Sequence, residues 1–252
     1  MGTGGRGRPT PGLNVYEVFL SLQGEGKFVG EPQAFVRFSG CNLRCAYCDE
    51  PASRSSRRRA LIRRVSGEVE LELPVPCGPE DVVEVLVELE DLEDTFGTVS
   101  LTGGEPLVQP WGALKELIER LRERGFRVLL ETNASLPDRA PLIDELADVV
   151  SADVKLPSHG PNMDDFPDRC LRFLERISAE VYAKVVLVDE ECYQHAESAL
   201  KGLHRLGVEP IYLQPATGSE HDLEDLWELA GLVNADVRVL PQVHKLVDFI
   251  PR

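Results

Sequence analysis

Short apolar runs alternate with amphipathic stretches along most of the chain. Runs rich in Val, Ile, Leu and Phe predict buried strands at 34–40, 98–104, 126–132, 148–155, 181–188, 210–215 and 236–242, and a further run at 13–24 opens the fold. Between them, apolar positions recurring every three to four residues predict helices over 79–94, 111–124, 139–146, 164–178, 190–206 and 221–233. In 111–124, Leu114, Leu117, Ile118 and Leu121 make one apolar face, and Gly125 ends the helix. Repeated strand–helix units imply an α/β fold with a parallel sheet, here most of a (β/α) barrel.

Parallel sheets place their chemistry at the carboxyl ends of strands. Polar or sharply turning residues follow the predicted strands: Ser39-Gly40-Cys41, Thr102 to Glu105, Glu131-Thr132-Asn133, Asp153-Val154-Lys155, Lys184, Gln214-Pro215 and Gln242-Val243-His244. These are expected to converge on one face. Segment 52–78 breaks the alternation, with an arginine-rich run (RSSRRRALIRR) read as a solvated loop and then GEVELELPVP, which suits a small hairpin. Residues 1–12 read as a disordered tail, and 13–252 as a single domain with an irregular insertion at 52–78.

Composition narrows the partners. The net charge of -16 argues against nucleic acid or an anionic membrane. No apolar run approaches the roughly 20 residues of a membrane helix, and the first residues lack a signal-peptide core. A cytoplasmic, reducing setting follows, in which clustered cysteines point to metal or catalysis rather than a disulfide.

Cys41, Cys45 and Cys48 fall in GCNLRCAYCDEP, spaced by three and then two residues. Three thiolates suit a soft metal or an iron–sulfur cluster, and they leave one coordination position open, whereas a structural zinc site takes four ligands. Completion as a zinc knuckle by Cys77 or a distant His is the plainer alternative. Cys170 and Cys192 read as small buried apolar residues on helix faces.

The cysteine spacing, with Tyr47 just before the last thiol, resembles the signature of radical S-adenosylmethionine (SAM) enzymes, and TGGEP (102–106) is similar to their glycine-rich segment. The flanks SLQGEGKFVGEPQAFVRFSGCNLRC, LTGGEPLVQ, ETNAS, LQP and VRVLPQVHKL resemble the 7-carboxy-7-deazaguanine synthase family. That resemblance implies a carbon–nitrogen lyase with a shortened, modified barrel, acting as a homodimer with an external electron donor. It implies a [4Fe-4S] cluster, SAM and Mg2+ as cofactors. The reaction implied is radical ring contraction of 6-carboxy-5,6,7,8-tetrahydropterin to 7-carboxy-7-deazaguanine, with loss of ammonia, on the route to deazapurine nucleosides of tRNA. Rival readings are another small radical SAM enzyme, such as a glycyl-radical activase, or a non-catalytic metal or electron-transfer module.

Carried over residue by residue, the resemblance gives Cys41, Cys45 and Cys48 to the cluster. It gives Leu22, Gln23, Gly24, Arg37, Thr102 and Pro251 to the substrate. Tyr47, Cys48, Asp49, Gly104, Asp153, Val154, Lys155, Gln214, Pro215, Ala216 and Thr217 fall to SAM. Where the family carries a Thr or Ser that helps bind Mg2+, this chain has Glu50, a hard oxygen donor. Arg37 is expected to meet the substrate carboxylate rather than a carboxylate of the protein. His244 is read as a satisfied core histidine, and Asp153 and Lys155 as possible partners of one another.

Overall fold

The computed structural model describes residues 11–93 and 96–246. Pro251 and most of the expected tail lie outside the described residues. The strands are β1 (Val15–Leu22), β2 (Pro32–Phe38), β3 (Arg59–Arg63), β4 (Val69–Pro74), β5 (Thr98–Gly103), β6 (Arg127–Thr132), β7 (Val149–Val154), β8 (Glu180–Leu187), β9 (Ile211–Pro215) and β10 (Val237–Val239). They form one sheet in the order β10-β9-β8-β7-β6-β5-β2-β1-β3-β4. Neighbours from β2 through β5 to β10 run parallel, whereas β1–β2 and β3–β4 are antiparallel. This is an α/β fold on a mostly parallel sheet, as the alternation of strands and helices predicts.

Helices α1 (Pro79–Glu93), α2 (Trp111–Glu123), α3 (Ala140–Ile143), α4 (Asp168–Leu174), α5 (Tyr193–Leu206), α6 (Leu223–Ala230) and α7 (Val243–Leu246) fill the connections. The expected helix at 164–178 starts only at Asp168, because Pro167 disfavours helical geometry in the residue before it. The arginine-rich run is not wholly loop. Its Ala60 and Ile62 are fully buried, so Arg59–Arg63 folds as β3 and joins β1 in parallel.

Side-chain alternation along the strands decides where the site lies. One face carries Val99, Leu101, Val128, Leu130, Val150, Ala152, Val154, Val185 and Leu213, all in the main core. Against them α2 packs Leu114, Leu117, Ile118 and Leu121, each 0% exposed. Burial at about 1.5–3 kcal/mol per large apolar side chain makes this a firm floor. The other face divides along the strands. Toward the amino ends Leu129, Val149, Tyr182 and Tyr212 form a small apolar cluster against Phe28. Toward the carboxyl ends Thr102, Glu131, Ser151, Asp153, Lys184 and Gln214 line a cavity of about 340 Å³.

Candidate active site

The cysteine loop sits over that cavity. Cys41, Cys45 and Cys48 are unpaired, half-buried and in its lining. Two backbone bonds and one side-chain bond fix the loop: Gly40 N donates to Ser53 O (2.8 Å), Glu105 N donates to Gly40 O (2.8 Å), and Arg54 Nη2 donates to Cys45 O (2.9 Å). Gly104 makes this approach possible, since a Cβ there would lie 1.9 Å from Gly40 O. Leu43 N donates to Cys41 Sγ at 3.4 Å. Burial pushes the Cys41 and Cys45 thiols up, while Lys155 pulls both down. Glu105, 1% exposed, accepts from Leu107 N, Thr132 Oγ1 and Asn133 N at 2.7 to 3.0 Å, locking the glycine-rich turn to the end of β6. Burial raises its carboxyl.

The other cysteines stand apart. Cys77 is 3% exposed, bridges to Leu13 and lies outside the cavity lining, so it does not join the other three as a fourth ligand. Burial lifts its thiol to about 11. Cys170 and Cys192 are fully buried in the core, as expected.

Two buried lysines stand opposite the cysteines. Lys155 Nζ donates to Asp153 Oδ2 (2.5 Å) and to Tyr47 Oη (3.0 Å). Burial opposes its charge most strongly, but Asp153, Tyr47 and Cys45 together overcome that and hold the ammonium well above the usual lysine range. Lys184 Nζ donates to Glu25 Oε2 (2.5 Å). Burial pushes Glu25 up, yet Lys184 and the Gln242 amide together bring it down to about 2. Gln242 Nε2 donates to Glu25 Oε1 (2.8 Å) and Asp49 Oδ2 (2.5 Å), and Thr217 Oγ1 donates to Gln242 Oε1 (2.9 Å). On the neighbouring strand β6, Glu131 accepts from Gln23 Nε2 (2.9 Å) and Thr102 Oγ1 (3.0 Å).

The donor set fits an iron–sulfur cluster with SAM: three free thiols on one loop open on one cavity. Asp153 Oδ1 and Gln214 Oε1 are buried acceptors that meet no donor among the described residues, which suits a ligand bringing amino or hydroxyl hydrogens.

The profile of the Radical SAM superfamily matches residues 35–233. The 7-carboxy-7-deazaguanine synthase of Thermococcus kodakarensis is 35% identical, across 93% of this chain and 98% of that protein. The Geobacter sulfurreducens protein of the same name is 34% identical across 94% and 98%. The chain belongs to the 7-carboxy-7-deazaguanine synthase family. The fold agrees: the crystal structure of QueE from Escherichia coli superposes with a TM-score of 0.60, at 22% identity over 92% of this chain and 95% of that one. SuiB of Streptococcus suis bound to SAM superposes at 0.53, at 14% identity over 80% and 45%.

Within this synthase-family cavity, Leu22, Gln23, Gly24, Arg37, Tyr47, Asp49, Glu50, Thr102, Gly104, Asp153, Lys155, Gln214, Ala216 and Thr217 line the wall with the three cysteines. Val154 does not, because alternation turns it to the helix face. Pro215, also one step out of register with Gln214, is not in the lining either. Arg37 meets a protein carboxylate after all, its Nε donating to Glu17 Oε1 across β1–β2 at 2.8 Å. His244 is not a core residue: it is half-buried, lines the cavity and packs on Gly24, where a Cβ would lie 2.2 Å from its Nδ1. Glu25, Asp49 and His244 each bring a ligand atom within 4.8 Å of the others, while Glu50 lines the wall outside that trio. Glu105, Glu131, Lys184 and Gln242 were legible only as strand-end polar residues, and Arg54 and His159 carried no signal of a site.

Proposed function

We propose that this chain converts 6-carboxy-5,6,7,8-tetrahydropterin to 7-carboxy-7-deazaguanine with loss of ammonia. The observation that carries the reading is the convergence of three unpaired thiols and the Gln23–Glu131–Thr102 array on one cavity. Cys41, Cys45 and Cys48 would hold a [4Fe-4S] cluster. When bound, the cluster and SAM supply one-electron cleavage of a carbon–sulfur bond and so a carbon-centred radical.

The chain's own residues position and exclude. Tyr47, Gly104, Asp153, Lys155, Gln214, Ala216 and Thr217 would line SAM, with Asp153 Oδ1 and Gln214 Oε1 offering acceptors. Glu131, held by two donors from its own wall, presents a carboxylate that suits the N–H edge of a pterin. Leu22, Gln23, Gly24 and Thr102 shape the same end. Arg37, with its Nε on Glu17, keeps its remaining N–H groups for the substrate carboxylate. A divalent cation such as Mg2+ would be held by Glu25, Asp49 and His244, two hard oxygen donors and one imidazole. This reading moves the metal role away from Glu50.

Reduction needs an external one-electron donor. Arg54, Arg57 and Arg58, beside the cysteine loop of an otherwise acidic chain, favour an acidic carrier. Leu223 and Trp227 on α6 are 77% and 78% exposed near the open edge strand β10, which supports a homodimer. Free cysteines suit a reducing cytoplasm, and among the described residues no helix is long and apolar enough to cross a membrane.

The test is anaerobic reconstitution with iron and sulfide, followed by reductant, SAM and the carboxytetrahydropterin. Formation of 5′-deoxyadenosine together with the deazaguanine is expected. SAM cleavage without that product, at any substrate concentration, removes the substrate assignment.

A further inference from the structure

A chain of hydrogen bonds beneath Tyr47 has a fixed direction. His159 is 0% exposed, and Leu156 N donates to its Nδ1 at 3.1 Å. Nδ1 therefore bears no proton. The ring's single proton lies on Nε2, which stands 3.0 Å from Val186 O and donates to it. Burial, assisted by the nearby Lys155 charge, lowers the imidazole to about 4 and keeps it in that neutral form.

Tyr47 Oη lies 3.0 Å from the same Nδ1, with the two rings edge to face at 4.8 Å. A nitrogen without a proton only accepts, so the Tyr47 hydroxyl donates to it. Its one proton is then committed, and toward Lys155 the phenol oxygen only accepts, at 3.0 Å. Lys155 spends a second N–H on Asp153 Oδ2. An ammonium has three. The third meets no acceptor among the described residues, and Lys155 is part of the cavity wall.

We propose that His159 is a positioning residue of the active site: by accepting the Tyr47 proton it fixes the order Asp153–Lys155–Tyr47–His159, so that Lys155 presents one unspent N–H to an oxygen of bound SAM. Without that acceptor, the Tyr47 hydroxyl loses the partner that holds it in place and can swing off Lys155. The ammonium then loses one of the two acceptors that set its aim. The assignment deepens the reading that this end of the cavity takes SAM.

The experiment measures the equilibrium dissociation constant of SAM from the anaerobically reconstituted holoenzyme, with thermal midpoints alongside. His159→Leu and Tyr47→Phe are each expected to weaken SAM binding by about tenfold, the effect of losing one buried hydrogen bond. His159→Asn, whose Oδ1 stands near the position of Nδ1, is expected to stay within about threefold of wild type. The double variant His159→Leu with Tyr47→Phe is expected to bind no more weakly than either single one, because both break the same link. The proposal is overturned if His159→Leu and Tyr47→Phe bind like wild type, if His159→Asn is as weak as His159→Leu, or if the two losses multiply. Should His159→Leu fail to fold, Tyr47→Phe against His159→Asn decides by the same criteria. A wild type that cleaves SAM but makes no deazaguanine would remove the pterin and leave this comparison standing, since only SAM affinity is scored.

Discussion

Lys155 and Lys184 stand on neighbouring strands of one cavity, each buried and each paired with a carboxylate at 2.5 Å. Their partners differ. Asp153 is two residues from Lys155 along the same β7 end, and about a quarter of its side chain remains exposed. Glu25 reaches Lys184 from the far end of the chain, is more deeply buried, and is held in turn by Gln242. The first pair closes as soon as one strand forms. The second closes only when the loop after β1, strand β8 and the segment before α7 have all come together. A local pair can aim a group, whereas a long-range pair also holds the walls of the cavity in place.

That contrast can be broken by removing each cation in turn. Lys184→Met leaves the Glu25 carboxylate, only 16% exposed, without its cation and is expected to cost about 3 kcal/mol in urea unfolding of the apo-protein. Smaller, and separable by pH, is the acid response. His159 has a folded value of about 4 against 6.5 when exposed, so its contribution is complete above pH 6.5 and is lost as pH falls toward 4. Glu25 moves from 4.5 to about 2, so its contribution is complete above pH 4.5 and is lost as pH falls toward 2. Each step is worth roughly 3–4 kcal/mol at most, and the difference between wild type and His159→Asn across pH 7 to 4 isolates the first. Lys155→Met leaves Asp153 a route to water and should cost only about 1–2 kcal/mol of stability. A larger loss there than at Lys184 would invert the comparison. Thr217→Val removes one bond to the Gln242 carbonyl oxygen and is expected to lower stability by about 0.5–1 kcal/mol, read as a small shift of the urea midpoint.

The same contrast explains what could be read from the residues alone. Strands β5 to β9 were legible because both neighbours and helices bury them, leaving nearly continuous apolar runs. The site end was legible because polar residues cluster after those runs, and Asp153–Lys155 because the partners are adjacent. β3 was hidden, since only Ala60 and Ile62 face inward and the arginines around them mask the alternation. Lys184–Glu25 and Gln242–Asp49 join positions far apart in sequence, where neither periodicity nor spacing carries a signal. The resemblance gives Arg37 to the substrate, and its pairing with Glu17 was hidden because it depends on the β1–β2 register, which no motif prints. His159 belongs to no motif, and its place beneath Tyr47 rests on bond directions that need three dimensions.

Gly104 has a consequence for how this site tolerates change. Every other amino acid carries a Cβ, and at this position that atom would fall inside the van der Waals shell of the peptide preceding Cys41. A saturation library at position 104 should therefore look flat, with alanine as inactive as tryptophan and charge or polarity making no difference. Second-site suppressors would have to move the peptide between residues 40 and 41 instead of altering chemistry elsewhere in the pocket.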